Sequence, residues 1–177
     1  MYDIYANAKD DAWRYALGNS GSRTLLTIGL NPSTATREKA DVTVAKVEQA
    51  AILNGYDGFI MLNLYPVRST DFNELPSEGD QGAISKNLEA IEELMGRTAD
   101  PVVWAAWGES IKARHYFIDA AYRLLTKSRK NPIRWLRYGP LTQSGHPRHP
   151  SRLQYAWKFA QFDADQYIKL LESELSA

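Results

Sequence analysis

Four short apolar runs divide the central part of the sequence, and each is bounded by glycine, proline or asparagine. Their length and their β-branched and aromatic content are typical of strands buried inside a protein. The first run ends at Asn31-Pro32, because proline cannot continue a sheet and pushes the preceding residue away from helical geometry. We predict four strands, over about residues 24–30, 59–62, 101–106 and 132–138.

Apolar residues at helical spacing fill most of the segments between these runs. Asp41 is a typical N-cap for the first of them, and Gly55 is a typical stop. The alternation of strands and helices predicts an α/β fold: one three-layer α/β/α domain over residues 1–177, with a central four-stranded, mostly parallel sheet. The predicted helices span about residues 41–55, 82–95, 109–125 and 163–175, with a short helix or cap over residues 10–17.

Polar groups follow the predicted strands at the point where each strand ends. In chain order they are Asn31, Asn63, Trp107, and the pair His146 and His149 in the loop after the fourth strand. Because the carboxyl ends of parallel strands meet at one edge of a sheet, we expect these residues to converge there. The two longest predicted loops belong to the same edge, and loops of such length are often functional.

The composition of the 177 residues limits the kinds of functional site that the chain can form. Basic and acidic side chains balance at 21 each, so a nucleic-acid site has to be a local patch. Without cysteine and with three histidines, the sequence offers no thiol nucleophile, disulfide or zinc–thiolate site, and we expect no metal or cofactor. No signal-peptide pattern or bilayer-length apolar run occurs, so we expect a soluble, cytoplasmic protein without a membrane partner.

Three of the polar residues suit the handling of a base, and each also has an ordinary structural role. The amide of Asn31 can orient a water molecule, or it can cap its own turn. Asn63 can read the edge of a base through its donor and acceptor, or it can simply end a strand. His149 can stabilise a developing negative charge, or it can lie at the surface of its loop. The sequence contains no dinucleotide, phosphate-loop or Gly-x-Ser-x-Gly motif.

Four motifs follow the predicted strands in chain order. They are Gly29-Leu30-Asn31-Pro32, residues 61–68 with Asn63, residues 102–108 with Trp107, and His149-Pro150-Ser151-Arg152-Leu153. Together they cover most of residues 24–153, and their order resembles that of the uracil-DNA glycosylase superfamily. The resemblance implies a uracil-DNA-glycosylase-like fold and an N-glycosidase that flips and releases a base from DNA or from a nucleotide.

The resemblance also implies a role for each residue of the site. Asn31 would position the attacking water, His149 would stabilise the leaving base, and Asn63 would recognise it. Leu153 would fill the stack vacated by a flipped base, and arginines would contact phosphates. The other ligand contacts implied by the motifs are Gly29, Pro32, Ser33, Thr34, Tyr65, Arg68, Trp107, His146, Arg148 and Ser151.

A second resemblance rests on five segments that span nearly the whole chain: Leu30 to Ala35, Asp41-Val42-Thr43, Asn63-Leu64-Tyr65, Arg68-Ser69-Thr70 and Gly145 to Pro150. It is the more specific one, and the family that these segments resemble is called domain of unknown function 1643. The resemblance implies a fold without an established activity.

Two alternatives to a glycosidase stay open. Ser33 and Thr34 follow the motif proline, whereas the main glycosylase branch has an aspartate in the motif and Tyr-His after its proline. The first alternative is a module that binds a nucleic acid or nucleotide in the same pocket without cleaving it. The second is a different enzyme on this fold, because Ser33, Thr34, Thr43 and Arg148 would suit a small anionic substrate.

Overall fold

The computed structural model describes residues 1–176. The strands are β1 Ile4–Ala8, β2 Trp13–Asn19, β3 Thr24–Gly29, β4 Gly58–Asn63, β5 Val102–Ala105, β6 Arg134–Tyr138 and β7 Phe159–Gln161. The α-helices in this range are α1 Val42–Leu53, α2 Gln81–Arg97, α3 His115–Ser128 and α4 Ala164–Leu175. Short 3-10 helices occupy Phe72–Glu74, Glu109–Ala113 and Pro150–Arg152.

The seven strands form one mixed sheet in the order β1-β2-β4-β3-β5-β6-β7. Its centre is the set predicted from the sequence, because β4, β3, β5 and β6 run parallel to one another. Antiparallel strands extend the centre on both sides, with β2 and β1 beyond β4 and with β7 beyond β6. The fold is therefore α/β as predicted, whereas the predicted total of four strands was too low.

Two predicted helices were wrong in detail. Residues 10–17 do not form a short helix: positive φ angles at residues 9–11 turn the chain from β1 into β2. The helix predicted over residues 109–125 is two helices, because the extended backbone at Arg114 separates a 3-10 turn from α3. Asp41 does cap α1, and its carboxylate accepts the Val44 N–H at 2.8 Å.

Two apolar clusters cover the two faces of the sheet. On one face α2, α3 and α4 pack through side chains such as Ile84, Phe117 and Ile168. On the other face α1 packs through Val44 and Val47. Helices on both faces leave the carboxyl ends of the parallel strands open at one edge, beside the start of α1. No helix within residues 1–176 has the length and apolar character needed to cross a membrane.

Candidate functional site

A cleft of about 860 Å³ opens where β3, β4 and β5 end. The loops that follow these strands form its floor and sides, and the loop between β6 and β7 forms its far wall. Topology thus brings together groups that lie more than 100 residues apart in the chain. Of the residues singled out from the sequence, the cleft is lined by Asn31, Ser33, Asn63, Trp107, Arg148, His149 and Ser151.

The side chain of Asn31 is held in one orientation by two backbone carbonyls. Its Nδ2 donates to the carbonyl of Ser69 at 3.0 Å and to that of Pro32 at 3.1 Å. The Ser69 N–H donates in turn to the Pro32 carbonyl, so the loop after β4 is fastened to the turn after β3. Because only Nδ2 can donate to carbonyls, Oδ1 is left as the acceptor that the side chain can offer to a ligand.

Asn63 ends β4 and its amide is buried without a partner. The residue is 1% exposed, and neither Nδ2 nor Oδ1 forms a hydrogen bond with any residue from 1 to 176. A Cβ on Gly29 would lie 2.9 Å from Oδ1, so glycine at the end of β3 makes room for the amide. The backbone of Asn63 is fixed from behind, because Asn87 Nδ2 donates to its carbonyl at 2.7 Å.

His149 presents a neutral imidazole with a defined tautomer. Its Nδ1 accepts the Ser151 N–H at 3.2 Å, so the ring proton of the neutral form lies on Nε2. Burial lowers the pKa of His149 to about 4, against the smaller opposing effect of the Asp41 carboxylate. At neutral pH the ring is therefore an uncharged donor through Nε2.

The loop that carries His149 is attached to its surroundings at two points. Lys46, on α1, donates to the Ser151 carbonyl at 2.9 Å. Gly108 has a φ of 78°, and a Cβ there would lie 2.7 Å from the Cβ of His149. Glycine at this position therefore allows both the left-handed backbone and the close approach of the loop to the end of β5.

His146 lies behind the cleft wall. Its Nδ1 is 2.8 Å from the hydroxyl of Tyr167, and that hydroxyl accepts the Trp107 indole N–H at 2.9 Å. The Tyr167 hydroxyl therefore links the His146 ring to Trp107. Nε2 lies 3.2 Å from a carboxylate oxygen of Glu174, within ion-pair distance but outside hydrogen-bond geometry. Burial lowers the pKa of His146, so this histidine supports Trp107 as a neutral group.

Three further predicted contacts are engaged away from the cleft. Tyr65 is 1% exposed, and its hydroxyl accepts the N–H of Asp80. Arg68 forms an ion pair with Asp11 at 3.4 Å. Leu153 is 9% exposed and packs in the apolar cluster beneath α1, so it does not project as a wedge.

The remaining predicted contacts shape the site through the backbone. Gly29 gives Asn63 its space, and the Pro32 carbonyl accepts the hydrogen bonds from Asn31 and Ser69 described above. Thr34 is exposed on the loop that leads to α1.

Several cleft residues were not assigned to the site from the sequence. The most important is Arg14, whose strand was predicted as a helix. The only signal for it is a charged residue inside the otherwise apolar and aromatic stretch at residues 13–17. The other lining residues that were not assigned to the site include Asp41, Ser69, Thr70, Phe72, Glu109, Ser110, Thr142, Gln154 and Trp157.

Within residues 1–176 no three histidine or acidic side chains are grouped to hold a metal ion.

Comparison of the chain with curated proteins and with solved structures gives no match. A family model does match, over residues 14–151, which is more than half of the chain. The matched span contains Asn31, Asn63 and His149, which all line the cleft. The chain therefore belongs to the family described as a protein of unknown function, DUF1643.

Proposed function

We propose that the protein hydrolyses the N-glycosidic bond between a base and a sugar, in a nucleotide or in DNA. The observation that carries this proposal is the unpartnered amide of Asn63, which shares one cleft with Asn31 and His149. The edge of a base presents a donor and an acceptor side by side, so it would satisfy both atoms of the amide. The resemblance of the four motifs to the uracil-DNA glycosylase superfamily supports the same assignment.

Asn31 is the residue that positions water in this proposal. Carbonyls hold its Nδ2, so its Oδ1 accepts a hydrogen bond from a water molecule on the cleft side. An amide oxygen is a weak base, and its contribution is to orient the nucleophile rather than to remove its proton. Holding a water in line with the bond to be broken supplies part of the rate increase through proximity and orientation.

His149 stabilises the departing base. An N-glycosidic bond breaks with its electron pair moving to the base, which gathers negative charge on its ring and carbonyl oxygens. The neutral imidazole donates Nε2–H to that charge, and a donor fixed in advance in a partly dry site is effective.

The reaction balances without a cofactor. The water oxygen bonds to the anomeric carbon of the sugar while the bond from that carbon to the ring nitrogen breaks. The electron pair of the broken bond stays on the base, which leaves as an anion beside His149. One proton of the water is then taken up by the released base, so the products are the free base and the sugar hydroxyl.

Base release measured by liquid chromatography tests the proposal. The substrates are nucleosides, nucleotides, and oligonucleotide duplexes that contain uracil, mismatched thymine, xanthine, hypoxanthine or modified pyrimidines. We expect release from at least one substrate, and a loss of about 10²-fold or more in Asn31→Ala and in His149→Ala. The matched controls are the exposed residues of the same types, Asn131→Ala and His115→Ala, which should keep the wild-type rate.

The outcomes separate the proposal from its alternatives. Failure to release any base, or release that survives both cleft substitutions, refutes the glycosidase. Saturable, Asn63-dependent binding of a nucleotide without turnover would instead establish the non-catalytic binding module.

A further inference from the structure

Arg14 is a buried cation at the cleft for which the proposed reaction has no use. It is 2% exposed and lines the cleft from the side of β2. Its Nη1 donates to the carbonyl of Ala35 at 3.0 Å, while its Nε has no hydrogen-bond partner in the described chain. Burial lowers the pKa of Arg14 to about 10, so the guanidinium remains charged at neutral pH.

An irregularity in β2 directs this side chain into the cleft. Ala6 on β1 pairs with Ala16, but the next residue, Asn7, pairs with Arg14, which leaves Tyr15 as an extra residue. One extra residue shifts the alternation of side chains between the two faces, so Arg14 lies on the opposite face from the one that regular alternation would give it, and bulges often serve to redirect a side chain at a site. Arg14 therefore lies on the face covered by α1, beside the strand that carries Asn63.

No carboxylate neutralises Arg14 directly. Among residues 1–176 no acidic oxygen lies within ion-pair distance of its guanidinium, and Asp11 pairs with Arg68 instead. Asp41 also lines the cleft, and its negative charge raises the pKa of Arg14 from beyond ion-pair distance, but its two oxygens are hydrogen-bonded to the N–H groups of Val44 and Ala35 and not to the guanidinium. A buried charge that lacks a partner is costly, so an oxyanion entering the cleft would gain a desolvated, charge-assisted contact.

The start of α1 reinforces the same position. Thr43 and Val44, in its first turn, line the cleft together with the hydroxyl-bearing Ser33. The Val44 N–H is taken by the Asp41 carboxylate, so the donors that this turn can offer an anion are the N–H groups that precede Val44, and the positive end of the helix dipole favours an anion there. The helix end and the unpartnered Arg14 Nε are independent features, and both point to an anion.

We propose that Arg14 and the first turn of α1 form an oxyanion site that binds the phosphate of a free nucleotide while the base reaches Asn63. The proposal rests on the proposed function for the base end of the ligand only. A free nucleotide fits better than a duplex, because Arg14 is almost inaccessible, Leu153 is packed inside, and the chain carries no net charge. Both groups line the same cleft, and the strands that carry them, β2 and β4, are adjacent in the sheet.

Inorganic phosphate tests the oxyanion site by itself. In the wild-type protein, titration should move the ¹⁵Nε–¹H NMR signal of Arg14 in a saturable way. Arg14→Gln should weaken phosphate binding about tenfold or more, while the exposed matched control Arg37→Gln should bind as the wild type does. A phosphate titration that leaves the Arg14 signal unmoved refutes the site, and this readout needs no variant to fold.

Paired ligands identify the anion and separate this inference from the proposed function. For the base that binds, the nucleoside monophosphate should bind the wild type about tenfold or more tightly than the nucleoside, and Arg14→Gln should abolish the difference. Equal affinities of nucleoside and nucleotide refute the phosphate site and leave the base site standing. Phosphate binding at Arg14 without binding of any nucleoside supports the oxyanion site and refutes the recognition of a base in the cleft. If acetate competes for the site as well as phosphate does, the assignment of a phosphate ligand is wrong and the ligand group is a carboxylate.

Discussion

Replacing Asn63 by leucine should stabilise the protein while abolishing ligand binding. The side chain is 1% exposed, and its two amide atoms have no partner within residues 1–176. Burial of an unpaired polar group costs about 1–3 kcal/mol, and leucine has a similar branched shape without polar atoms. We expect the free energy of unfolding to rise by about 1–3 kcal/mol, and the melting temperature of a chain of this size by about 2–4 °C for each kcal/mol.

Asn87→Leu is the matched control, and its effect should have the opposite sign. Asn87 is fully buried and its Oδ1 has no partner, but its Nδ2 donates to the carbonyls of Asn63 at 2.7 Å and of Leu64 at 3.2 Å. Asn87→Leu would leave both carbonyls without this donor, which outweighs the relief at Oδ1, so the free energy of unfolding should fall by about 1–3 kcal/mol. Calorimetry of both variants measures the two changes in the free energy of unfolding and shows whether they have opposite signs. If Asn63→Leu destabilises the protein as much as Asn87→Leu, the Asn63 amide serves the fold and is not a free recognition group.

Three further predictions concern the walls of the cleft, and chemical denaturation measures each of them. Gly108→Ala should lower the free energy of unfolding by about 1–3 kcal/mol, because Gly108 has a positive φ and a Cβ there would contact His149. Gly96→Ala in α2 is the control and should raise the free energy of unfolding by about 0.4–1 kcal/mol, because a Cβ there meets nothing within 4 Å. If Gly96→Ala destabilises the protein as Gly108→Ala does, the effect at Gly108 is not due to its positive φ and its contact with His149. The pKa of His149 is about 4 in the folded chain and about 6.5 when unfolded, so the unfolded chain binds more protons between these values. Stability should therefore fall as the pH is lowered from about 6.5 to about 4, and His149→Gln should remove part of that fall; an unchanged profile contradicts the assignment. Tyr167→Phe leaves the Trp107 indole N–H without its acceptor and should cost about 1–3 kcal/mol, so a neutral effect would show that the buried hydrogen bond is dispensable.

The parallel centre of the sheet was predictable, and its margins were not. β3, β4 and β5 are buried on both faces, so each appears in the sequence as a mainly apolar run without polar alternation. β2 carries a buried arginine and an irregular register, which together obscure the alternation expected of a strand. β7 has three residues, too few to show any period.

The sequence predicts the location of the site better than it predicts which side chains line it. Asn31 and Asn63 directly follow parallel strands, so topology alone brings them to one edge. The direction of a side chain depends on local geometry that sequence order does not specify. His146 and Leu153 lie on or beside the expected loop, yet both side chains pack away from the cleft. Arg14 reaches the cleft through a bulge in an antiparallel strand, which a pattern of apolar positions does not reveal.

The most direct test of base recognition at Asn63 is the NMR signal of its side-chain Nδ2 during titration with free uracil, thymine, cytosine, adenine, guanine, xanthine and hypoxanthine. We predict that one base shifts this signal in a saturable manner, because the unpartnered amide gains a donor and an acceptor. The Nδ2 signal of Asn87 is the internal control and should stay in place, since it is already bonded to backbone carbonyls. If no base moves the Asn63 signal, or if both signals move together, the cleft does not recognise a base through Asn63.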